Sequence, residues 1–222
     1  MTQADLQSPF ALFPPPNRKI EKPLPAKPVT AGHNPQIYRE VAALAKDGKD
    51  PTPQQLTDLF RMREFDSPEG EMKDEAFTLW QEMRSRGVIP TREGYVALLR
   101  LAGQLGDVLI QEEIVHSLWK DKVPLTENMT HHLIEGLIRN HEIDRAIFLF
   151  RDLRARRLYP RLRTYNLVIS VCVDYVEPEE AFRTLIDLKE TFGEESVADR
   201  HWWRVLELCA KEGYVRHSSI LR

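Results

Sequence analysis

From Asn34 onward, apolar residues recur at i, i+3 and i+4, the period of a helix with one buried face. No stretch shows the two-residue alternation of a half-buried strand. Successive segments open on a capping residue or an early proline. Asn34-Pro35 opens a helix through Ile37, Val41 and Leu44, and Thr52-Pro53 opens one through Leu56, Leu59 and Phe60. Ser67-Pro68 leads into a longer helix that ends near Gly87. Pro90, Pro124 and Pro160 follow helices at spacings of 34 and 36, a mean of 35, which predicts stacked helical hairpins. Residues 1–35 carry eight of the fifteen prolines, so an extended tail is expected there instead of a helix or strand.

The side chains repeat with the prolines. Ala76-x-x-Leu79-Trp80-x-x-Met83, then Gly87 and Pro90, matches Ala146-x-x-Leu149-Phe150-x-x-Leu153, then Arg157 and Pro160, 70 residues on. Ala181 with Leu185, 35 residues after Ala146, is a looser copy, and Tyr95 and Tyr165 each follow their proline by five residues. In the middle unit Leu118-Trp119 follows Leu79-Trp80 by 39 residues and precedes Leu149-Phe150 by 31, which predicts a second helix displaced by four residues, about one turn. Glu113 and Ser117 would then stand at apolar positions. Trp80, Trp119 and Phe150 are expected in the core, and Tyr95 and Tyr165 packed within their own hairpins. Trp202 and Trp203 are adjacent, about 100° apart on a helix, so both cannot share one buried stripe and one is free for a partner.

Thr164-Tyr165-Asn166-Leu167-Val168-Ile169 after Pro160, and Ala76-Phe77-Thr78-Leu79-Trp80-Gln81-Glu82-Met83 before Gly87-Val88-Ile89-Pro90, resemble the two helices of a pentatricopeptide repeat. The Trp-x-x-Leu-Gly-x-x-Tyr signature of tetratricopeptide repeats is missing. The resemblance covers about residues 74–213, with a weaker unit at 35–66. It implies an all-α, right-handed α-solenoid of tandem helix-turn-helix repeats. The expected division is a proline-rich tail (1–34), a degenerate N-terminal hairpin (35–66), the repeats (67–213) and a truncated C-terminal helix (214–222).

In that family, one base is read by a polar residue of the first helix together with the last residue of the repeat. Carried over by position, the pairs are Val96 with Leu125, Thr130 with Arg161, and Asn166 with Ser196. Only Asn166 with Ser196 suits a base edge, a pyrimidine's, because both side chains donate and accept. The resemblance further implies a mitochondrial protein that binds mitochondrial mRNA or rRNA, or docks in a ribonucleoprotein such as the mitochondrial ribosome through ribosomal or assembly proteins. A purely protein-protein structural subunit is the alternative. The N-terminus itself shows no amphipathic, acid-free presequence, since Asp5 and Glu21 interrupt it.

Charge narrows the reading. A net charge of −3 and a pI near 6.2 disfavour nonspecific coating of nucleic acid, which needs many phosphates neutralised at once. Locally, however, Arg139 to Arg163 holds eight arginines against Glu142, Asp144 and Asp152, 8 − 3 = +5. Arg151, Arg154, Arg156, Arg157, Arg161 and Arg163 are therefore candidates for phosphate contact.

Catalytic chemistry finds little support. His131, His132 and Glu135 form the densest group of possible metal ligands, without a His-Glu-x-x-His pattern. Neither Cys172 nor Cys209 stands in a nucleophile or CxxC motif, and there is no glycine-rich phosphate loop. No catalytic residue, metal, cofactor or small-molecule substrate is expected. No apolar run reaches the roughly 18 residues that a membrane span requires.

Overall fold

The computed structural model describes residues 35–61, 71–156 and 158–214. The proline-rich tail, Arg157 and residues 215–222 of the expected C-terminal helix lie outside them. The described residues form ten α-helices and no strand: α1 Pro35–Lys46, α2 Pro53–Arg61, α3 Glu71–Ser85, α4 Arg92–Leu105, α5 Val108–Lys120, α6 Glu127–Arg139, α7 Ile143–Ala155, α8 Leu162–Asp174, α9 Pro178–Phe192 and α10 Asp199–Lys211, with a 3-10 turn at Glu194–Ser196. Among the described residues, no helix is long and apolar enough to cross a membrane.

Local chemistry sets the helix starts. At α2, Thr52 Oγ1 accepts from the Gln55 amide at 3.2 Å while Gln55 Oε1 accepts from the Thr52 amide at 2.9 Å, a reciprocal capping box. Thr91 Oγ1 accepts from Gly94 N at 3.1 Å, Thr126 Oγ1 from Met129 N at 3.3 Å and Asp107 Oδ1 from Ile110 N at 3.0 Å.

The register is stricter than the prolines indicate. First helices begin at Arg92, Glu127 and Leu162, and second helices at Val108, Ile143 and Pro178, each 35 residues apart. The four-residue displacement expected in the middle unit is therefore not present. Val115, 5% exposed, fills the slot of Trp80 and Phe150, and Leu118, fully buried, fills that of Met83 and Leu153. Trp119, expected in the core, is 46% exposed beside His116. It sits one position past the Leu118 slot, where α3 and α7 carry Arg84 and Arg154.

The same turn closes each first helix. Gly106, His141 and Val176 all have positive φ (70°, 60° and 61°), and the next amide bonds back to the helix, as in Glu142 N to Leu137 O and Glu177 N to Cys172 O, both 2.8 Å. This is the left-handed C-terminal cap, for which glycine is the unstrained residue.

The chain divides into two compact units, one through Met129 and one from Thr130. In the first, α2 packs on α1, α3 and α4, and α4 packs on α5. Phe60, Trp80, Met83, Tyr95 and Leu98 are fully buried there. In the second, α8 packs on α7 and α9, and α10 packs on both α8 and α9, around Phe150, Tyr165, Ile169 and Leu185. Each large apolar side chain so buried contributes about 1.5–3 kcal/mol, which couples the helices within each unit.

Candidate nucleic-acid interface

The 35-residue register assigns each residue of a first helix to a slot. The fourth position of α4 and α8 holds Tyr95 and Tyr165, both fully buried. A cation from the preceding second helix meets each ring. Arg84 Nη1 donates to Tyr95 Oη at 3.2 Å, and the Arg154 guanidinium lies 5.8 Å from the centre of the Tyr165 ring. Tyr95 also donates to Asp121, which is ion-paired with Arg84 at 3.3 Å. Burial, then this carboxylate, holds the Tyr95 hydroxyl well above its usual range, so it stays a donor. Tyr165 is instead clasped edge-on by Phe150 and Phe192, at 5.0 and 5.7 Å between ring centres. The arrangement recurs at the end of the array, where Lys189 Nζ lies 5.7 Å from the Trp202 ring centre. Tyr95 and Tyr165 thus pack between helices, as expected.

The fifth position is then Val96 in α4, His131 in α6, Asn166 in α8 and Trp203 in α10. In the second unit, His131 Nδ1 lies 3.0 Å from Thr164 Oγ1, which ties α6 to α8. Burial, then the charges of Arg163, His132 and Arg161, pushes the His131 imidazole down to about 4, so it is neutral near pH 7. The Asn166 Oδ1 is buried and accepts no hydrogen bond among the described residues. Such an atom is rare unless something else satisfies it. Arg161, Arg163 and Arg200 are exposed around this row, and Trp203 is 73% exposed. The rim of α6, α8 and α10 therefore carries exposed arginines, one unsatisfied amide oxygen and one bare aromatic ring.

The Pentatricopeptide repeat domain family matches residues 113–175, and the PPR repeat family matches 71–88. Among solved structures, the PPR domain of Arabidopsis thaliana protein-only RNase P 1, in complex with tRNA, is 14% identical with a TM-score of 0.65, covering 78% of this chain and 88% of that one. The pentatricopeptide repeat protein PPR10 in complex with an 18-nt psaJ RNA element is 21% identical with a TM-score of 0.57. That match covers 83% of this chain and 30% of PPR10, so this chain spans under a third of PPR10's length. PPR10 from maize, 21% identical with a TM-score of 0.58, is matched over 80% of this chain and 28% of its own. No curated protein sequence matches the chain. Residues 71–88 and 113–175 thus carry pentatricopeptide repeats, and the described helices share the fold of these structures.

Within these repeats, the carried-over positions shift where proline spacing misled. Thr130, 4% exposed, occupies the buried tyrosine slot of Tyr95 and Tyr165, and His131 takes the fifth position. The residue before α6 is Thr126, its cap, not Leu125, because Pro124 stands one residue earlier than the other prolines relative to its helix. Arg161 does stand immediately before α8, completing the repeat that contains His131. Ser196 ends the 3-10 turn, its hydroxyl donating to the Phe192 carbonyl at 2.9 Å, and Ala198 is the residue that caps α10.

The arginine stretch is largely neutralised inside the fold. Arg139 pairs with Glu135, Arg145 with Glu142, Arg151 with Glu180, Arg154 with Asp187 and Arg156 with Asp152. Five of the eight arginines thereby make intrachain ion pairs, and three of these, Arg151, Arg154 and Arg156, are among the expected phosphate contacts. Arg157 lies outside the described residues. Arg161 and Arg163, at the start of α8, are exposed near Asn166.

His131, His132 and Glu135 bring one ligand atom each within 4.8 Å of one another. The charges of Arg161 and Arg163 act on His131, and Arg139 bonds Glu135, so the local field opposes a cation. Both cysteines are buried, and burial lifts the Cys172 thiol to about 12, far from a reactive thiolate.

Proposed function

We propose that this protein is a non-enzymatic scaffold that binds single-stranded RNA along the rim of α6, α8 and α10. The observation that carries the reading is the Asn166 amide: its oxygen has no intrachain partner, it stands at the family's base-facing position, and exposed Arg161 and Arg163 flank it. An unsatisfied polar group beside cations is what a base edge and its phosphates would complete. The two RNA-bound neighbours above share the fold at low identity and support RNA as the ligand class. The reading extends to a mitochondrial protein that contacts mRNA or rRNA, including within a mitochondrial ribosome. That extension rests on the family alone.

One observation favours a mainly structural role. Most of the arginine excess is consumed by ion pairs between and within helices, and Val96 presents no hydrogen-bonding group. Few base readers and an acidic whole suit a subunit held chiefly by proteins, touching RNA at one short patch. Tagged protein purified after ultraviolet crosslinking, with sequencing of the attached RNA and sedimentation with and without ribonuclease, separates the two. A few messenger sites with light sedimentation mean a transcript-binding factor, and ribosomal RNA with heavy sedimentation means a structural subunit. An absence of crosslinks removes RNA from the account. Imaging the tagged protein against a mitochondrial stain tests the location.

A further inference from the structure

We propose that Trp203 is a nucleobase-stacking residue, extending the rim by a contact that uses ring area instead of hydrogen bonds. The inference rests on the RNA-binding reading above and adds a residue and a contact type to it.

The argument begins with the two adjacent tryptophans. Trp202 occupies the slot of Tyr165 and lies against Lys189, 5.7 Å from the ring centre, so its role is internal. Trp203, the next residue, is turned about 100° away, into the slot of His131 and Asn166. It is 73% exposed, and among the described residues of α8 and α10 it is the one large apolar side chain left exposed. An exposed indole in the slot that carries Asn166 on α8 offers a π face on which a base can stack. Its surroundings choose the partner. Arg200 and Arg204 flank it on α10, Arg204 is fixed to Asp174 of α8 at 2.5 Å, and the neighbouring helix offers the Asn166 amide and Arg163. A protein hot spot has an apolar surround that excludes water. A single aromatic face among cations and beside a partnerless amide oxygen is the pattern of a single-strand platform, where the base stacks and the backbone meets arginine. Because α10 packs directly on α8, a strand read at Asn166 passes Trp203 next. The stacked base is unselected in identity, since every base has a π face.

The test uses the full-length protein with a single-stranded oligouridylate and an oligoadenylate as probes, comparing wild type, Trp203→Ala, Trp203→Phe and Asn166→Ala by fluorescence anisotropy. The expected result is a loss of about tenfold for Trp203→Ala on both probes, with most of the affinity kept by Trp203→Phe. Asn166→Ala should alter the ratio between the probes, which Trp203→Ala leaves unchanged. Wild-type binding undiminished in Trp203→Ala overturns the stacking role and leaves the rim reading standing. No binding by the wild type overturns both. If Trp203→Ala instead releases a co-purifying protein whose retention resists ribonuclease, the ring is a protein contact and the proposal is wrong.

Discussion

The turn at Val176 stores strain that a single substitution should release. Val176 has φ 61°, the left-handed region that a β-branched residue least tolerates, whereas the equivalent turn two repeats earlier has Gly106 at φ 70°. A left-handed L-residue costs about 1–2 kcal/mol. Val176→Gly removes that cost and adds about 0.5–1 kcal/mol of chain entropy to be lost on folding. The side chain is 51% exposed, so little burial is forfeited, and the Glu177 N to Cys172 O bond is unaffected. The net gain is about 1 kcal/mol, a rise of roughly 2–4 °C in the thermal midpoint for a chain of this size. The reverse change, Gly106→Val, should lower the midpoint by a similar or larger amount. Far-ultraviolet circular dichroism melts of the full-length variants measure both. A lower midpoint for Val176→Gly, or no penalty for Gly106→Val, would refute the claim that one turn geometry closes every hairpin.

Trp80→Ala empties the largest fully buried slot of the first unit and should cost about 3–5 kcal/mol, seen as lost hydrogen-exchange protection in α2–α5. Arg154→Ala should lower stability by about 1 kcal/mol, through Asp187 and Tyr165, while changing RNA affinity little. Arg163→Ala should reduce the slope of log affinity against log salt by about one. His131 has a folded pKa near 4, below its unfolded value near 6.5, so the unfolded chain binds the extra proton. Its stabilising contribution is full above about pH 6.5 and is lost as pH falls towards 4. His131→Gln should flatten that part of a stability-versus-pH profile.

Much of the fold was legible because helical period and turn chemistry are local. Thr52-Pro53 and Asn34-Pro35 mark helix starts, and the Ala76 and Ala146 copies give the 35-residue period directly. The middle repeat was misread because prolines mark loops, whose length drifts, while buried slots hold the register. Pro124 drifted by one residue and drew Thr130 into the place of His131. A bulky Trp119 next to Leu118 imitated the Leu-Trp pair of α3, although Val115 was available at the correct spacing. A count of 35 from Tyr95 and back from Tyr165 lands on Thr130 from both sides and would have revealed the slot. The neutralisation of the arginine stretch was not legible. Arg151 and Arg154 pair with Glu180 and Asp187, about thirty residues on, across a packing interface that only folding creates. The exposure of Trp203 was half legible, since adjacency required one tryptophan to leave the core without saying which.

The most direct test is mass-spectrometric mapping of the protein residues that crosslink to RNA under ultraviolet light in the full-length protein. The account expects crosslinked peptides from the starts of α8 and α10, around Arg161–Asn166 and Arg200–Trp203, with Asn166→Ala and Trp203→Ala reducing the yield. Crosslinks confined to α7 and α9, or none at all, would contradict it.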